Sequence, residues 1–128
     1  MSVQYVIIER GNPLNMAAPK KFYAMAKSAG VVTLKQLSKD ISARSTVNSS
    51  DTLAVLDSLV QQLTKELEEG RIVRLGDFGS FQLSLSSEGA DTAEKFNSSM
   101  VKKSKILFRP GIDLRNMLAT VSYKKEKE

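Results

Sequence analysis

The sequence predicts an α+β fold: an N-terminal β-hairpin-like extension, two helices, a three-stranded antiparallel β-sheet with an arm, and a C-terminal helix. Two observations carry this. Apolar residues recur at helical spacing from Leu34 to Leu67, turn to a period of two on strands either side of the turn at "GDFG", as at Phe81, Leu83 and Leu85, and return to helical spacing from Leu114 to Val121. Gly, Pro and Ser clusters fall where the period changes. At 128 residues and 41% hydrophobic content the chain has material for one core, with room for an appendage.

The elements follow in order. "VQYVII" (Val3–Ile8) is β-branched and aromatic, and "RGNP" (Arg10–Pro13) breaks it with a turn signal. "KKFYAMAKSAG" (Lys20–Gly30) alternates loosely and reads as a second strand. Thr33 with Gln36 forms a capping box before Leu34, Leu37 and Ile41, so a short helix starts here. Asn48 or Ser49 caps a second helix, with Asp51 in its first turn. Leu53, Leu56, Leu59, Val60, Leu63 and Leu67 line a broad apolar face on that helix, and Gly70 suits its C-terminal end. A face so wide implies burial on more than one side, a second chain being one candidate cover. A strand, a tight turn at "GDFG" and a second strand follow, with Phe78 and Phe81 inward. "SSEGADTAEKFNSS" (Ser86–Ser99) is polar and acidic at its start, with Asp91 or Thr92 capping one helical turn. "VKKSKILFR" (Val101–Arg109) is the returning strand. Pro110 and Gly111 punctuate, and Leu114, Met117, Leu118 and Val121 form the buried stripe of the last helix. The predicted division is an N-terminal β extension over 1–31, a main domain over 32–120, and a basic flexible tail over 121–128.

Composition narrows the function. The chain has no cysteine and no histidine, which removes disulfides, thiolate or imidazole metal sites, and the commonest general base and thiol nucleophile. No clustered carboxylates or Ser-base pair compensate, so no enzyme, no catalytic residues, no metal, no cofactor and no small-molecule substrate are expected. No run approaches the roughly 20 apolar residues of a membrane span, and "MSVQYVIIERGNP" lacks the basic start of a signal peptide. A cytoplasmic protein without membrane contact is the simplest reading.

The net charge of +5 is unevenly placed. Lys95 to Glu128 holds nine basic residues against three acids, +6, whereas the first 94 residues hold ten against eleven, −1. A concentrated basic face is the footprint of a polyanion; a solvated surface ending in a loose "YKKEKE" is the bland alternative. The glycines read as a turn or bulge between two strands and not as a nucleotide loop. "GDFGSF" lacks the spacing and the lysine of a Walker loop, and strands flank it on both sides, unlike a dinucleotide fingerprint.

Alternation on the returning strand puts Ile106 and Phe108 on one face and Lys103, Lys105, Leu107 and Arg109 on the other. The outbound strand gives Phe81, Leu83 and Leu85 inward and Gln82, Ser84 and Ser86 outward. That stripe could track phosphates; an ordinary amphipathic sheet with a solvated face is the other reading.

Two helices, "EEGRIVRLGDFGSF", a polar excursion, "ILFRPG" and a final helix resemble the HU/integration host factor family of DNA-bending proteins, over Thr33 to about Leu118. The added N-terminal segment resembles a variant HU-like branch. The resemblance implies an intertwined homodimer whose sheets form a saddle on duplex DNA and whose arms reach round the minor groove. It also implies phosphate contacts at Lys103, Lys105 and Arg109, then Lys102, Arg74 and Lys95, beside Gln82, Ser84 and Ser86. Arg74 and Lys102 are equally readable as plain surface charges, and tail lysines Lys124, Lys125 and Lys127 as a solvated end. Two departures stand out. The family's outbound arginines are absent near Ser84 and Ser86, and its Arg-Asn-Pro arm tip is replaced by a stretch carrying Glu88, Asp91 and Glu94. Phe96 is left either to wedge between bases or to pack the excursion back.

The leading expectation is therefore a non-sequence-specific, nucleoid-associated architectural protein that binds duplex DNA as a homodimer. Its arm would be shortened or folded, and its bending weak. The alternative is an HU-like fold repurposed as a protein-interaction or structural module with weak or no DNA binding. A helix-turn-helix regulator fits poorly, because the second helix has too wide an apolar face to lie in a major groove.

Overall fold

The computed structural model describes residues 2–126. In chain order it comprises β1 (Val3–Arg10), β2 (Lys21–Ala26), α1 (Leu34–Ser42), α2 (Ser49–Glu68), β3 (Val73–Arg74), β4 (Gly79–Ser87), β5 (Val101–Pro110), α3 (Ile112–Thr120) and β6 (Tyr123–Lys125). Two short 3₁₀ turns, Ala93–Lys95 and Ser98–Met100, lie between β4 and β5. The chain divides into two compact units, residues 34–117 and residues 1–33 with 118–128.

In the larger unit the helix pair meets over small polar residues. Ser38 is 2% and Thr52 7% exposed, and each hydroxyl donates back along its own chain, to the Lys35 carbonyl (2.6 Å) and the Asn48 carbonyl (2.8 Å). Their buried hydroxyls therefore need no partner from outside. Asn48 is the N-cap of α2, its side chain accepting from the Asp51 amide at 2.8 Å. At the other end Gly70 donates to Leu67 and Arg71 to Glu66, the paired bonds of a Schellman motif. The Arg71 guanidinium also donates to Glu66 at 2.9 Å and contacts Glu69. Hydrogen bonds from Arg71 and Gln62 hold the Glu66 carboxyl below its ordinary range.

β3, β4 and β5 form an antiparallel sheet in that order. Its entry is a tight turn in which Phe78 donates to Leu75 and Leu75 to Gly79. Phe78 and Phe81 both pack on Phe108, with ring centroids 5.5 and 4.8 Å apart. Gly79, at φ +150°, lies so close to β5 that an added methyl would stand 2.5 Å from the Arg109 carbonyl oxygen. Gly111 then closes on the same turn, donating to the Phe78 carbonyl at 2.8 Å. The "GDFG" and "FRPG" stretches thus form one interlocked joint.

In the smaller unit β1 is central, antiparallel to β2 and parallel to β6. This differs from the loose end expected at 121–128. Tyr123, Lys124 and Lys125 pair with Val3, Gln4 and Tyr5, and Lys27 makes an ion pair with Glu126. Two lysines in three residues suit an edge strand, where the charged side chains stay in water. Lys127 and Glu128 lie outside the described residues.

The expected buried stripe of the last helix differs as well. Leu114 and Val121 are half-buried, but Met117 and Leu118 are exposed, Leu118 by 57%. The same holds throughout: among the described residues no hydrophobic side chain is buried within the single chain. Leu59 on α2 is 40% and Ile106 on β5 53% exposed. The secondary structure sorts apolar from polar faces, and one copy of the chain leaves the apolar faces open.

Candidate nucleic-acid interface

The site is built on the sheet register. Ser86 lies opposite Lys103, Ser84 opposite Lys105, Gln82 opposite Leu107 and Ser80 opposite Arg109. Directly opposed residues share a face, so these eight side chains lie on one side of the β4–β5 ribbon. The other side carries Phe81 opposite Phe108 and Leu83 opposite Ile106. On β3, Arg74 opposes Ser80, which makes Arg74, Ser80 and Arg109 one row across all three strands. The alternating residues Lys103 and Lys105 are about 7 Å apart along a strand, about two base-pair rises along a duplex axis. The Ser86 hydroxyl donates to the Lys103 carbonyl at 3.5 Å, and with Ser80, Gln82, Ser84 and Ser86 β4 offers hydroxyls and an amide and no charge on this face.

Two of the nine expected phosphate-facing residues stand elsewhere. A register shift between Ser86 and Ser87 makes Ser87 oppose Val101, which leaves Lys102 outside the ladder. Its ammonium is 2.6 Å from a Glu88 carboxylate oxygen. Such a bulge re-aims a side chain, and here it couples Lys102 to the acidic start of the β4–β5 connection. Lys95 ends the first 3₁₀ turn, capped by Thr92, away from the ribbon ladder. The other seven residues (Lys103, Lys105, Arg109, Arg74, Gln82, Ser84 and Ser86) share the polar face. Sequence reasoning missed Ser80, although its even position in the Gln82–Ser84–Ser86 series carried the signal.

The connection from Glu88 to Met100 is folded into its two short turns and closed by a bond from the Glu88 amide to the Met100 carbonyl, 2.9 Å. Phe96 is 40% exposed and borders a shallow concavity with Ser87, Ala90 and Ala93. Glu88, Asp91 and Glu94 of the same connection are exposed.

A helix pair, an arm-bearing antiparallel sheet with one cationic face, and a closing helix define a small HU-like α+β protein. The chain belongs to the HU-HIG family, described as an HU domain fused to a wHTH, Ig or glycine-rich motif, whose model matches residues 1–125. The family therefore takes in the N-terminal sheet as well as the HU-like part. Among solved structures the chain is similar to a candidate bacterial DNA-binding protein from Bacteroides vulgatus, at 9% sequence identity and a TM-score of 0.64. The match covers 98% of this chain and 49% of that one, so the chain spans about half its length. No curated protein matches the sequence. Among the described residues no helix is long and apolar enough to cross a membrane.

Proposed function

We propose that the chain is a non-sequence-specific, DNA-binding architectural protein of the bacterial nucleoid, acting in the cytoplasm as an intertwined homodimer. The observation that carries the reading is the shared face of Lys103, Lys105, Arg109 and Arg74, set against an apolar reverse side. Cations fixed on a strand meet phosphates without reading bases, which makes binding sequence-independent and steeply salt-dependent. Membership of an HU family and the DNA-binding description of its structural neighbour support the same partner. The dimer is supported by the open apolar faces of α2, β5 and α3, which a second copy would cover. A neutral β4 and an acidic β4–β5 connection favour weak bending by this sheet.

The test is binding of the full chain to random-sequence duplex at two salt concentrations, with solution mass measured alongside. Binding at low salt with a steep slope of log K against log[salt] is expected, and a mass twice that of one chain. Lys103→Ala or Lys105→Ala should each reduce the slope by about 0.9 for every phosphate no longer neutralised. No binding at low salt would overturn the reading. A dimer without DNA affinity would favour the alternative, an HU-like fold turned to protein interaction.

A further inference from the structure

The loop joining β1 to β2 carries a feature that the sheet face does not use. From Arg10 to Lys21 the sequence holds Arg10, Lys20 and Lys21 and no acid. Arg10 and Lys21 are directly opposed at the end of the hairpin, and Lys20 precedes Lys21. Between them Leu14 is 96% and Met16 91% exposed. Both stand on a loop whose backbone is closed by its own hydrogen bonds. Asn12 accepts from the Leu14 amide at 2.9 Å and Asn15 from the Ala17 amide at 3.1 Å. The Asn15 amide donates to the Asn12 carbonyl and the Ala18 amide to the Asn15 carbonyl, giving two successive turns. Pro13 and Pro19 restrict the chain further. Asx turns of this kind shape a loop from within, each mimicking a backbone turn.

We propose that this loop is a second DNA-binding element of the chain, in which Arg10, Lys20 and Lys21 hold phosphates while Leu14 and Met16 enter the minor groove as an apolar wedge. The inference rests on the DNA-binding reading above. Leu, Met and Pro are residue types that part base steps in the minor groove, and a cation cluster beside them complements the flanking phosphates. The β4–β5 connection is less suited to that role, because it carries Glu88, Asp91 and Glu94, which phosphates repel. A lipid surface is the competing occupant for cations beside apolar tips. Leu14 and Met16 together bring less hydrocarbon than one myristoyl chain, which by itself gives only marginal membrane binding. The charge complementarity therefore favours the nucleic acid.

The experiment uses the full chain and an end-labelled random-sequence duplex, reading affinity by anisotropy and bending by energy transfer. Arg10→Ala with Lys20→Ala and Lys21→Ala is expected to lower the salt slope by about 0.9 per phosphate released. Leu14→Ser with Met16→Ser is expected to keep the slope and abolish most of the bending. Arg10 and Lys21 are the exposed last pair of the β1–β2 ladder and Leu14, Met16 and Lys20 are exposed on its loop, and unchanged circular dichroism shows that the fold is kept. If both variants bind and bend like the parent while Lys103→Ala weakens binding, this inference fails and the sheet reading stands. If the parent does not bind DNA at all, the sheet reading fails first. Parent binding to phosphatidylserine vesicles, absent in the Leu14/Met16 variant with DNA bending unchanged, would also overturn the inference in favour of a membrane.

Discussion

Gly111 has no room for a side chain. A methyl added there would stand 2.2 Å from the Asp77 carbonyl oxygen and 2.9 Å from the Gly79 amide nitrogen, both backbone atoms that cannot rotate aside. Gly111→Ala should therefore destabilise the fold by about 3 kcal/mol, measured as a lowered urea midpoint with an unchanged m-value. The sequence made the glycines of "GDFG" legible as a turn, because strands flank them and no lysine follows. It did not show why "FRPG" accompanies that turn. The reason is a hydrogen bond between residues about thirty positions apart, from the Gly111 amide to the Phe78 carbonyl. Single-residue propensity carries no trace of such an approach. Lys102 was hidden for a similar reason, since simple alternation cannot reveal the register shift that brings it to Glu88.

At the scale of the element, the β4–β5 ribbon is asymmetric: β5 carries Lys103, Lys105 and Arg109 on the polar face, and β4 carries only Ser80, Gln82, Ser84 and Ser86. If that face meets phosphates, charge added to β4 should tighten the complex. Ser84→Arg with Ser86→Arg is expected to steepen the salt slope by about 0.9 per phosphate newly neutralised and to raise low-salt affinity on any duplex sequence. Equal affinity with unchanged slope would remove β4 from the interface. Period-two patterning sufficed to place these residues, because alternation on one amphipathic strand decides its face. Arg74 needed more. It lies on a strand of only two residues, and only pairing through Ser80 puts it in line with Arg109. The cations Arg10, Lys20 and Lys21 do not show in the net charge of the first 94 residues, where Glu9 and ten acids farther along offset the basic residues.

For the whole molecule, the decisive fact is that one chain buries no hydrophobic side chain among its described residues. The width of the α2 apolar face announced this in the sequence, whereas the uncovered stripe of α3 did not, since helical spacing reports a face and not what covers it. Leu59 separates the cases. In a single chain it is 40% exposed, and truncation should cost well under the full core value. Covered by a second copy, Leu59→Ala should cost about 2.7–5 kcal/mol, and the unfolding midpoint should rise with protein concentration. The parallel pairing of β6 with β1 was not legible at all, because Tyr123–Lys125 carries no apolar run and its partner lies at the opposite end of the sequence. That pairing sets an order of events. The β1–β2 hairpin closes over a short loop and can form early, but Val3 meets Tyr123 only after the intervening chain has been made. At ribosomal rates this is a wait of roughly 6–24 s. The residues of the larger unit, 34–117, have all been made before then, so this pairing waits for them although its first strand is made first.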